Sequence, residues 1–282
     1  MSSSISPTHL TCEYFTNPIG LGTQHPRLSW KLSATGRNAK QSAYHLIVTS
    51  DQTTLWDSGK VISDQSVHVA YGGPSLHSGQ RCTWRVQVWD ADDQPSDWSD
   101  EASWEMGLLN TADWQAQWIT PDLEQDHAPL LRRAFAIDGE ITSARIHATS
   151  LGLYELHLNG ERVGDGQLTP GWTSYKHRLQ YQTYDVTAHI KRGDNAMGAM
   201  LGDGWYRGFL GFAGGRGIYG DKLALLLLID SRSSAVRFIE PKTQVDRCDI
   251  RNLASGGNTT TLVCHTVCCN IGGLCLPGFD VR

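Results

Sequence analysis

Short stretches in which every second residue is apolar constrain the fold of this chain more than any other feature of its sequence. Two early examples have apolar residues at Leu28, Trp30 and Leu32 and at Tyr44, Leu46 and Val48. This spacing turns one face of a β-strand toward a core and the other face toward solvent. No amphipathic helix of convincing length interrupts the pattern, so the sequence predicts an all-β protein.

The first region of alternation, residues 20–107, is predicted to form one β-sandwich. Gly, Pro, Asp and Ser clusters divide it into about seven strands, the number typical of an immunoglobulin-like sandwich. Its longest alternating run consists of Cys82, Trp84, Val86 and Val88. We expect the tryptophans of this region to fill the space between two sheets, because large aromatic side chains bury the most apolar area. Residues 1–19 are assigned to an N-terminal arm.

A second β region follows a connector that shows no period. Residues 108–129 contain two prolines and are interpreted as a linker, whose tryptophans would hold it against a neighbouring surface. Residues 130–230 then alternate again, and Asn159-Gly160 is a strong signal for a hairpin with a type I′ turn. This second region is predicted to be a jelly-roll, lectin-like β-sandwich.

The composition changes near residue 231. All ten tryptophans lie before that point, whereas five of the seven cysteines lie after it. Residues 231–282 also show little alternation, so we expect an irregular C-terminal tail. Its stretch CHTVCCNIGGLC lacks the two evenly spaced C-x-x-C pairs of a structural zinc site, and no such site is predicted.

Charge and hydropathy exclude several classes of partner. A net charge of −5 gives no electrostatic reason to bind nucleic acid or an anionic membrane. The N-terminus lacks the basic and apolar segments of a secretory signal. The longest apolar run, residues 223–229, is much shorter than the ~20 residues that span a bilayer. We therefore expect a soluble, cytoplasmic protein, and the signatures of P-loops, serine hydrolases and zinc metalloproteases are absent as well.

The stretch GDGWYRGFLGF, residues 202–212, is the strongest candidate for a functional loop. Its glycines can form tight turns between strands. Alternatively, these turns display aromatic rings beside a carboxylate and a guanidinium. That combination suits a sugar, because the apolar C–H faces of a sugar pack on aromatic rings. Its neighbouring hydroxyl groups form paired hydrogen bonds with a carboxylate or a guanidinium. The candidate carbohydrate-binding residues are Trp172, Tyr175, Arg178, Asp203, Trp205, Tyr206 and Arg207. Core packing of the same aromatic side chains remains the alternative.

Three stretches of the second region carry a resemblance to a known family: YELHLNGERVGDGQLTPGWTSYKHRLQYQTYDVT, GDNAMGAMLGDGWYRGFLGF and YGDKLALL. They resemble the N-terminal domain of α-L-rhamnosidases of the glycoside hydrolase family 78 type. The stretch TWRVQVWDADDQPSDWSDEASWEMG resembles the fibronectin type III-like sandwich that precedes that domain in the same enzymes. The resemblance covers about residues 10–230 and implies that the chain is the N-terminal portion of such an enzyme.

The resemblance also implies where hydrolysis takes place. In this family terminal α-L-rhamnosyl residues are hydrolysed with inversion in a later (α/α) barrel, where one acidic side chain protonates the leaving group and another carboxylate activates water. That barrel would begin beyond residue 282, so no catalytic residue is assigned and the chain is expected to be inactive alone. The implied partners are L-rhamnose or rhamnosides and the catalytic domains of the parent enzyme. Two alternatives are a free-standing rhamnose-binding, lectin-like protein and a purely structural module.

Calcium is the one cofactor that the resemblance brings into consideration. Some family members hold rhamnose in the second domain with the help of calcium, which prefers six to eight oxygen ligands. The weak candidates for such ligands are Asn159, Asp165, Asp203 and Asp221. No other cofactor is expected.

The tail departs from the family pattern, which would continue with further strands and domains. We interpret residues 231–282 as the product of a frameshift or gene-model error, with a genuine divergent tail as the alternative. If closing strands of the sandwich are lost in this way, the edge of the strand at residues 223–229 is expected to be exposed and prone to aggregation.

Overall fold

The computed structural model describes residues 5–34, 36–121, 128–211, 214–232, 236–237, 249–253, 260–265 and 280–281. The chain divides into two units, Met1–Asn110 and Thr111–Arg282. Strands dominate both units, and the helical elements among the described residues are a 3-10 turn at Thr111–Asp113 and a short helix, α1, at Gly204–Arg207. The prediction of an all-β protein is therefore confirmed. Within the described ranges, no helix has the length and apolar character needed to cross a bilayer.

The first unit is a sandwich of two antiparallel sheets. Its strands are β1 (Ile5–Cys12), β2 (Arg27–Ala34), β3 (Ala43–Ser50), β4 (Thr53–Asp57), β5 (Val61–Ile62), β6 (Val69–Ala70), β7 (Arg81–Trp89) and β8 (Ala102–Glu105). One sheet has the order β1-β2-β6, and the other has the order β4-β3-β7-β8 with β5 added to β3. This arrangement confirms the predicted immunoglobulin-like class of fold.

Alternation along the strands produces the core of this sandwich. In β7 the buried residues alternate with residues that are partly or fully exposed, and the buried tryptophans of the unit are Trp30, Trp84 and Trp104. Two other tryptophans differ from the expected inter-sheet position. Trp89, at the end of β7, lies half-exposed with Lys60 Nζ 4.7 Å from its ring centre, and Trp98 has the Arg85 guanidinium carbon at 4.6 Å. Because Trp89 occupies an odd position in β7, it points away from the core.

The first strand lies in residues that the sequence analysis assigns to an N-terminal arm. β1 pairs with β2 and buries Ile5, Pro7, Leu10 and Cys12. A bulge between Thr8 and Thr11 shifts the register of this pairing. The buried positions therefore change from odd to even numbers within one strand, and no period-two pattern appears in the sequence.

The second unit contains two larger sheets. Its strands are β9 (Leu130–Ile137), β10 (Ser143–Leu151), β11 (Leu153–Leu158), β12 (Glu161–Arg162), β13 (Arg178–Leu179), β14 (Gln182–Asp185), β15 (Gly193–Gly202), β16 (Phe209–Leu210), β17 (Gly215–Arg216), β18 (Ala224–Arg232), β19 (Val236–Arg237), β20 (Asp249–Leu253), β21 (Thr260–His265) and β22 (Asp280–Val281). The two sheets have the orders β12-β11-β15-β9-β19 and β14-β10-β18-β21-β20, while β13-β22 and β16-β17 form separate pairs. The second β-sandwich is thus present as predicted. Within the cysteine-rich tail, Cys248, Cys268, Cys269 and Cys275 lie outside the described residues.

The hairpin between β11 and β12 confirms the turn that the sequence predicts. Asn159 and Gly160 have φ values of +54° and +89°, the left-handed conformation that a type I′ turn requires at both positions. The Asn159 side chain then joins this hairpin to β15. Its Oδ1 accepts a hydrogen bond from the Ala196 backbone N–H at 2.9 Å, and its Nδ2 donates to Asn195 Oδ1 at 2.8 Å.

Strand β18 is apolar on both faces because both faces are covered. Leu223, Leu225, Leu227 and Ile229 face the core between the two sheets, and the residues between them are also buried. The edge of β18 that faces away from β10 is paired as well. Ile119 of the connector exchanges two backbone hydrogen bonds of 2.8 Å with Leu225, and β21 pairs with residues 228–231. The expectation of an exposed edge at this strand is therefore wrong for the structure described here.

A smaller cluster covers the outer face of β10 and β18. Leu151 and Ala224, which are cross-strand partners, pack there with Tyr175, Leu179 and Tyr206. Half-buried aromatic side chains close the cluster from outside: Trp118, Trp205 and Tyr219. This outer layer is where the long loops after β12 and β15 meet the sandwich, and it positions the candidate site.

Candidate functional site

Two segments of the second unit form the candidate site: the loop between β12 and β13, and the segment of residues 203–221 that contains α1, β16 and β17. Glycine is required where this second segment turns sharply. Gly204 has φ of +50°, and a Cβ there would lie 2.5 Å from Leu153 Cγ. A Cβ at Gly220 would collide with the hydroxyl of Tyr206. The glycines of this segment therefore permit close packing against the sandwich as well as turns.

Two tryptophans from these segments stack on each other. The rings of Trp172 and Trp205 are nearly parallel, at 9°, with their centres 6.0 Å apart. Trp205 packs at the margin of the outer cluster, whereas Trp172 is 56% exposed. Trp172 Nε1–H also donates to Tyr219 Oη at 3.3 Å, which fixes the direction of its ring. The stack thus presents the exposed ring of Trp172 on the partly buried ring of Trp205.

Charged side chains beside the stack are engaged with one another. Asp203 Oδ1 accepts from Arg207 Nε at 2.6 Å, and Asp203 Oδ2 accepts from Arg216 Nη2 at 3.0 Å. The Arg216 guanidinium in turn lies 5.6 Å from the ring centre of Phe209. These contacts connect α1 to the β16–β17 hairpin. Asp203 and Arg207 therefore have a structural role in this segment, with only part of the Asp203 carboxylate open to solvent.

The two candidate tyrosines, Tyr175 and Tyr206, are buried. Tyr175 is 1% exposed, donates from its hydroxyl to the Gly171 carbonyl at 3.1 Å, and contacts the Tyr206 ring edge-on at 5.3 Å. Burial raises the pKa of Tyr175 to about 12 and also raises the pKa of Tyr206, with the nearby Asp221 charge adding to the second shift. Both phenols therefore stay neutral at physiological pH and serve packing.

Six of the seven sequence candidates divide into three pairs. Trp172 and Trp205 form the stack, Asp203 and Arg207 form an ion pair, and Tyr175 and Tyr206 belong to the buried cluster against which Trp205 packs. Arg178 lies in β13 and is exposed. Its backbone carbonyl accepts a hydrogen bond from Thr173 Oγ1 at 2.8 Å. This bond ties β13 to the residue that follows Trp172 in the chain.

Sequence reasoning missed Tyr219, Arg216 and Phe209 as members of this group. Tyr219 lies within the glycine-rich stretch GGRGIYG, residues 214–220, and an aromatic residue among these glycines is the signal that could have identified it. Phe209 stands in the stretch GDGWYRGFLGF itself and is 70% exposed. Phe212 of that stretch lies outside the described residues.

The four calcium candidates do not form one set of ligands. The Asn159 amide is engaged with Ala196 and Asn195, and the Asp203 carboxylate is engaged with two guanidinium groups. Asp165 and Asp221 are exposed. Across the part of the chain that the structure describes, no three His, Cys, Asp or Glu side chains are grouped closely enough to hold a metal ion. These residues therefore do not fit a shared calcium site, and no step is derived through one.

Comparisons with known proteins agree with the two-unit architecture. Residues 7–110 match the family described as Rha78A-like, N-terminal immunoglobulin domain, and residues 139–238 match the alpha-L-rhamnosidase N-terminal domain. An alpha-L-rhamnosidase of Formosa agariphila is 39% identical in an alignment of 222 residues that covers 72% of this chain and 24% of that enzyme. The chain thus spans about a quarter of the length of this relative.

Solved structures give the same picture. The alpha-L-rhamnosidase from Dictyoglumus thermophilum superposes with a TM-score of 0.73 at 35% identity, over 83% of this chain and 28% of that one. The Streptomyces avermitilis alpha-L-rhamnosidase complexed with L-rhamnose gives a TM-score of 0.77 at 26% identity, over 83% of this chain and 40% of that one. The chain therefore belongs, over its two matched regions, to the N-terminal immunoglobulin and N-terminal rhamnosidase domain families of the α-L-rhamnosidases.

Proposed function

We propose that this chain is the non-catalytic N-terminal portion of an α-L-rhamnosidase whose further domains hydrolyse terminal α-L-rhamnosyl residues with inversion. The two matched domain families support this proposal, because both are described as N-terminal domains and the chain spans about a quarter of the length of a matched alpha-L-rhamnosidase. The role of the chain in such an enzyme would be to hold substrate or to brace the catalytic domain, and not to break the glycosidic bond.

Within that role, we propose that the second unit binds L-rhamnose or rhamnosides on the stacked tryptophans. The observation that carries the proposal is the exposed ring of Trp172 on the anchored ring of Trp205. A pyranose presents an apolar C–H face to such a ring, and a rigid base reduces the entropy lost when the sugar binds. Arg178, exposed and close to Trp172 in the chain, can donate to sugar hydroxyls.

Replacing Trp172 tests this proposal. We expect Trp172→Ala to weaken binding of L-rhamnose about tenfold or more in calorimetric titration, because the contact surface is lost. The thermal unfolding midpoint should change little, since the ring is more than half exposed. Tyr14→Ala is a matched control, because Tyr14 is a 66% exposed aromatic residue of the first unit. Equal affinity of the Trp172 variant and the control for L-rhamnose would contradict the proposal. Repeating the titration with a chelator separates sugar binding from any dependence on calcium.

A purely structural role for the second unit is the second candidate. The burial of Tyr175 and Tyr206 and the engagement of Asp203 by two arginines favour it, because these side chains already have partners within the unit. A folded chain that fails to bind any rhamnoside would favour this structural role. A free-standing lectin-like protein is distinguished from an enzyme portion by reading the coding DNA downstream of Asp230 in the other two frames for a rhamnosidase-like continuation.

A further inference from the structure

The stacked tryptophans are offset, so that they form a step with two surfaces. Their ring centres lie 6.0 Å apart at an interplanar angle of 9°. Stacked rings in contact are separated by about 3.5–4 Å, so the two centres are displaced sideways by roughly 4.5–5 Å, nearly one ring width. Part of the Trp205 ring therefore extends beyond Trp172, and Trp205 is itself partly exposed.

The two surfaces of the step differ in their surroundings. Trp172 lies in the loop that continues to the exposed Arg178, whose side chain can meet hydroxyl groups. In the chain, Trp205 stands between Asp203 and Arg207, which form an ion pair with each other at 2.6 Å. Arg216 connects Asp203 to Phe209, an apolar side chain that is 70% exposed. The Trp205 surface consequently favours a planar, weakly polar group, because the charged residues nearest to Trp205 in the chain are already paired with each other.

We infer that this step binds an aryl glycoside, with the sugar ring on Trp172 and the aromatic aglycone on the uncovered part of Trp205. The inference rests on the proposed binding of rhamnosides by the second unit and names the substrate class of that site. Two rings joined by a glycosidic oxygen reach both surfaces, whereas a monosaccharide reaches only one. An aromatic aglycone also gains from offset stacking on indole, which an alkyl group cannot provide.

A series of four probes tests the inference by calorimetric titration of the full chain. The probes are L-rhamnose, methyl α-L-rhamnopyranoside, 4-nitrophenyl α-L-rhamnopyranoside and 4-nitrophenol. We expect the aryl glycoside to bind about ten times more tightly than the methyl glycoside. L-Rhamnose and the methyl glycoside should bind within about a factor of two of each other, because neither reaches Trp205.

Variants at Trp205 test whether this residue causes the preference for the aryl glycoside over the methyl glycoside. Trp205→Leu should reduce the ratio of aryl to methyl affinity to about two or less, while the methyl glycoside keeps its affinity through Trp172. Trp205→Phe retains a ring and should keep most of the ratio. Circular dichroism confirms that each variant is folded. The ratio measured in the unaltered chain tests the inference even if the Leu variant does not fold.

The relative affinities of the four probes separate the inference from the proposed function. Equal affinities for the aryl and methyl glycosides in the unaltered chain would overturn the inference and leave the proposed binding of rhamnosides intact. Failure of all three rhamnose-containing probes to bind a folded chain would overturn the proposed function. If 4-nitrophenol alone binds as tightly as its glycoside, the sugar contributes nothing on Trp172, and the two-surface arrangement is wrong.

Discussion

Burial decides which aromatic residues of this chain can take part in recognition. Trp172 and Tyr175 lie three positions apart in one loop, yet the first is 56% exposed and the second 1%. Their residue types fit a sugar platform equally well, so sequence alone could not separate them. The difference arises from contacts with distant segments: Tyr175 packs against Tyr206 and Tyr219, and Trp172 rests on Trp205.

His147 is a buried histidine whose protonation is linked to folding. His147 of β10 is 3% exposed, contacts the ring of Tyr181 at 6.0 Å, and has its Nδ1 2.9 Å from Thr183 Oγ1. Burial, and then the neighbouring charge of Arg145, lower the pKa of His147 from 6.5 to about 4. The imidazole is therefore neutral in the folded chain at pH 7.

This shift makes stability depend on pH. The unfolded chain takes up the proton of His147 near pH 6.5 and the folded chain only near pH 4, so the free energy of unfolding falls as the pH decreases through this interval. The loss amounts to roughly 3 kcal/mol when the interval is complete. Urea unfolding of the unaltered chain and of His147→Gln at pH 7 and pH 4 measures it, and the variant should lose correspondingly less. Equal losses in the two proteins would show that other groups cause the acid sensitivity.

At the scale of elements, the β16–β17 hairpin depends on one carboxylate. Asp203 precedes α1 and bonds both Arg207 within that helix and Arg216 on β17. Among the described residues of the hairpin, Phe209 pairs with Arg216 and Leu210 with Gly215, and the Gly217 N–H donates to the Arg207 carbonyl at 2.9 Å. Because these backbone contacts are few, the side-chain ion pairs of Asp203 contribute to the position of Phe209.

Removing that carboxylate should loosen the hairpin without unfolding the sandwich. We expect Asp203→Ala to lower the free energy of unfolding by about 1 kcal/mol, because partly exposed ion pairs contribute little individually. Hydrogen exchange in residues 209–216 should accelerate by about an order of magnitude. Asp221→Ala, which removes an exposed carboxylate from the end of the same segment, serves as the control. Identical exchange in the two variants would contradict a specific role for Asp203.

Elements differ in how far the sequence predicts them. Strands with one face in solvent, such as β7 and β11, show their period directly, and Asn159-Gly160 marks its turn by residue type. β1 was not predicted because its bulge reverses the parity of buried positions. The covered edge of β18 depends on Ile119, more than 100 residues earlier in the chain, and no local pattern encodes such a contact. The step of the candidate site has the same origin, since Trp172 and Trp205 come together only in the folded unit.

Two kinds of observation concern the whole molecule. Residues 7–110 and 139–238 match families described as N-terminal domains of α-L-rhamnosidases, and the chain spans about a quarter of the length of a matched relative. The structure adds a partly exposed pair of stacked tryptophans in the second unit. Both observations are consistent with the role proposed above, that of an accessory portion that retains a rhamnoside for a catalytic domain.

Calorimetric titration of the full chain with L-rhamnose tests whether the second unit binds the sugar, after circular dichroism has confirmed that the chain is folded. We expect saturable binding with one site per chain, because the exposed ring of Trp172 provides the sugar-contacting surface. Absence of any heat of binding from a folded chain at millimolar sugar would contradict it, and the two units would then be a scaffold.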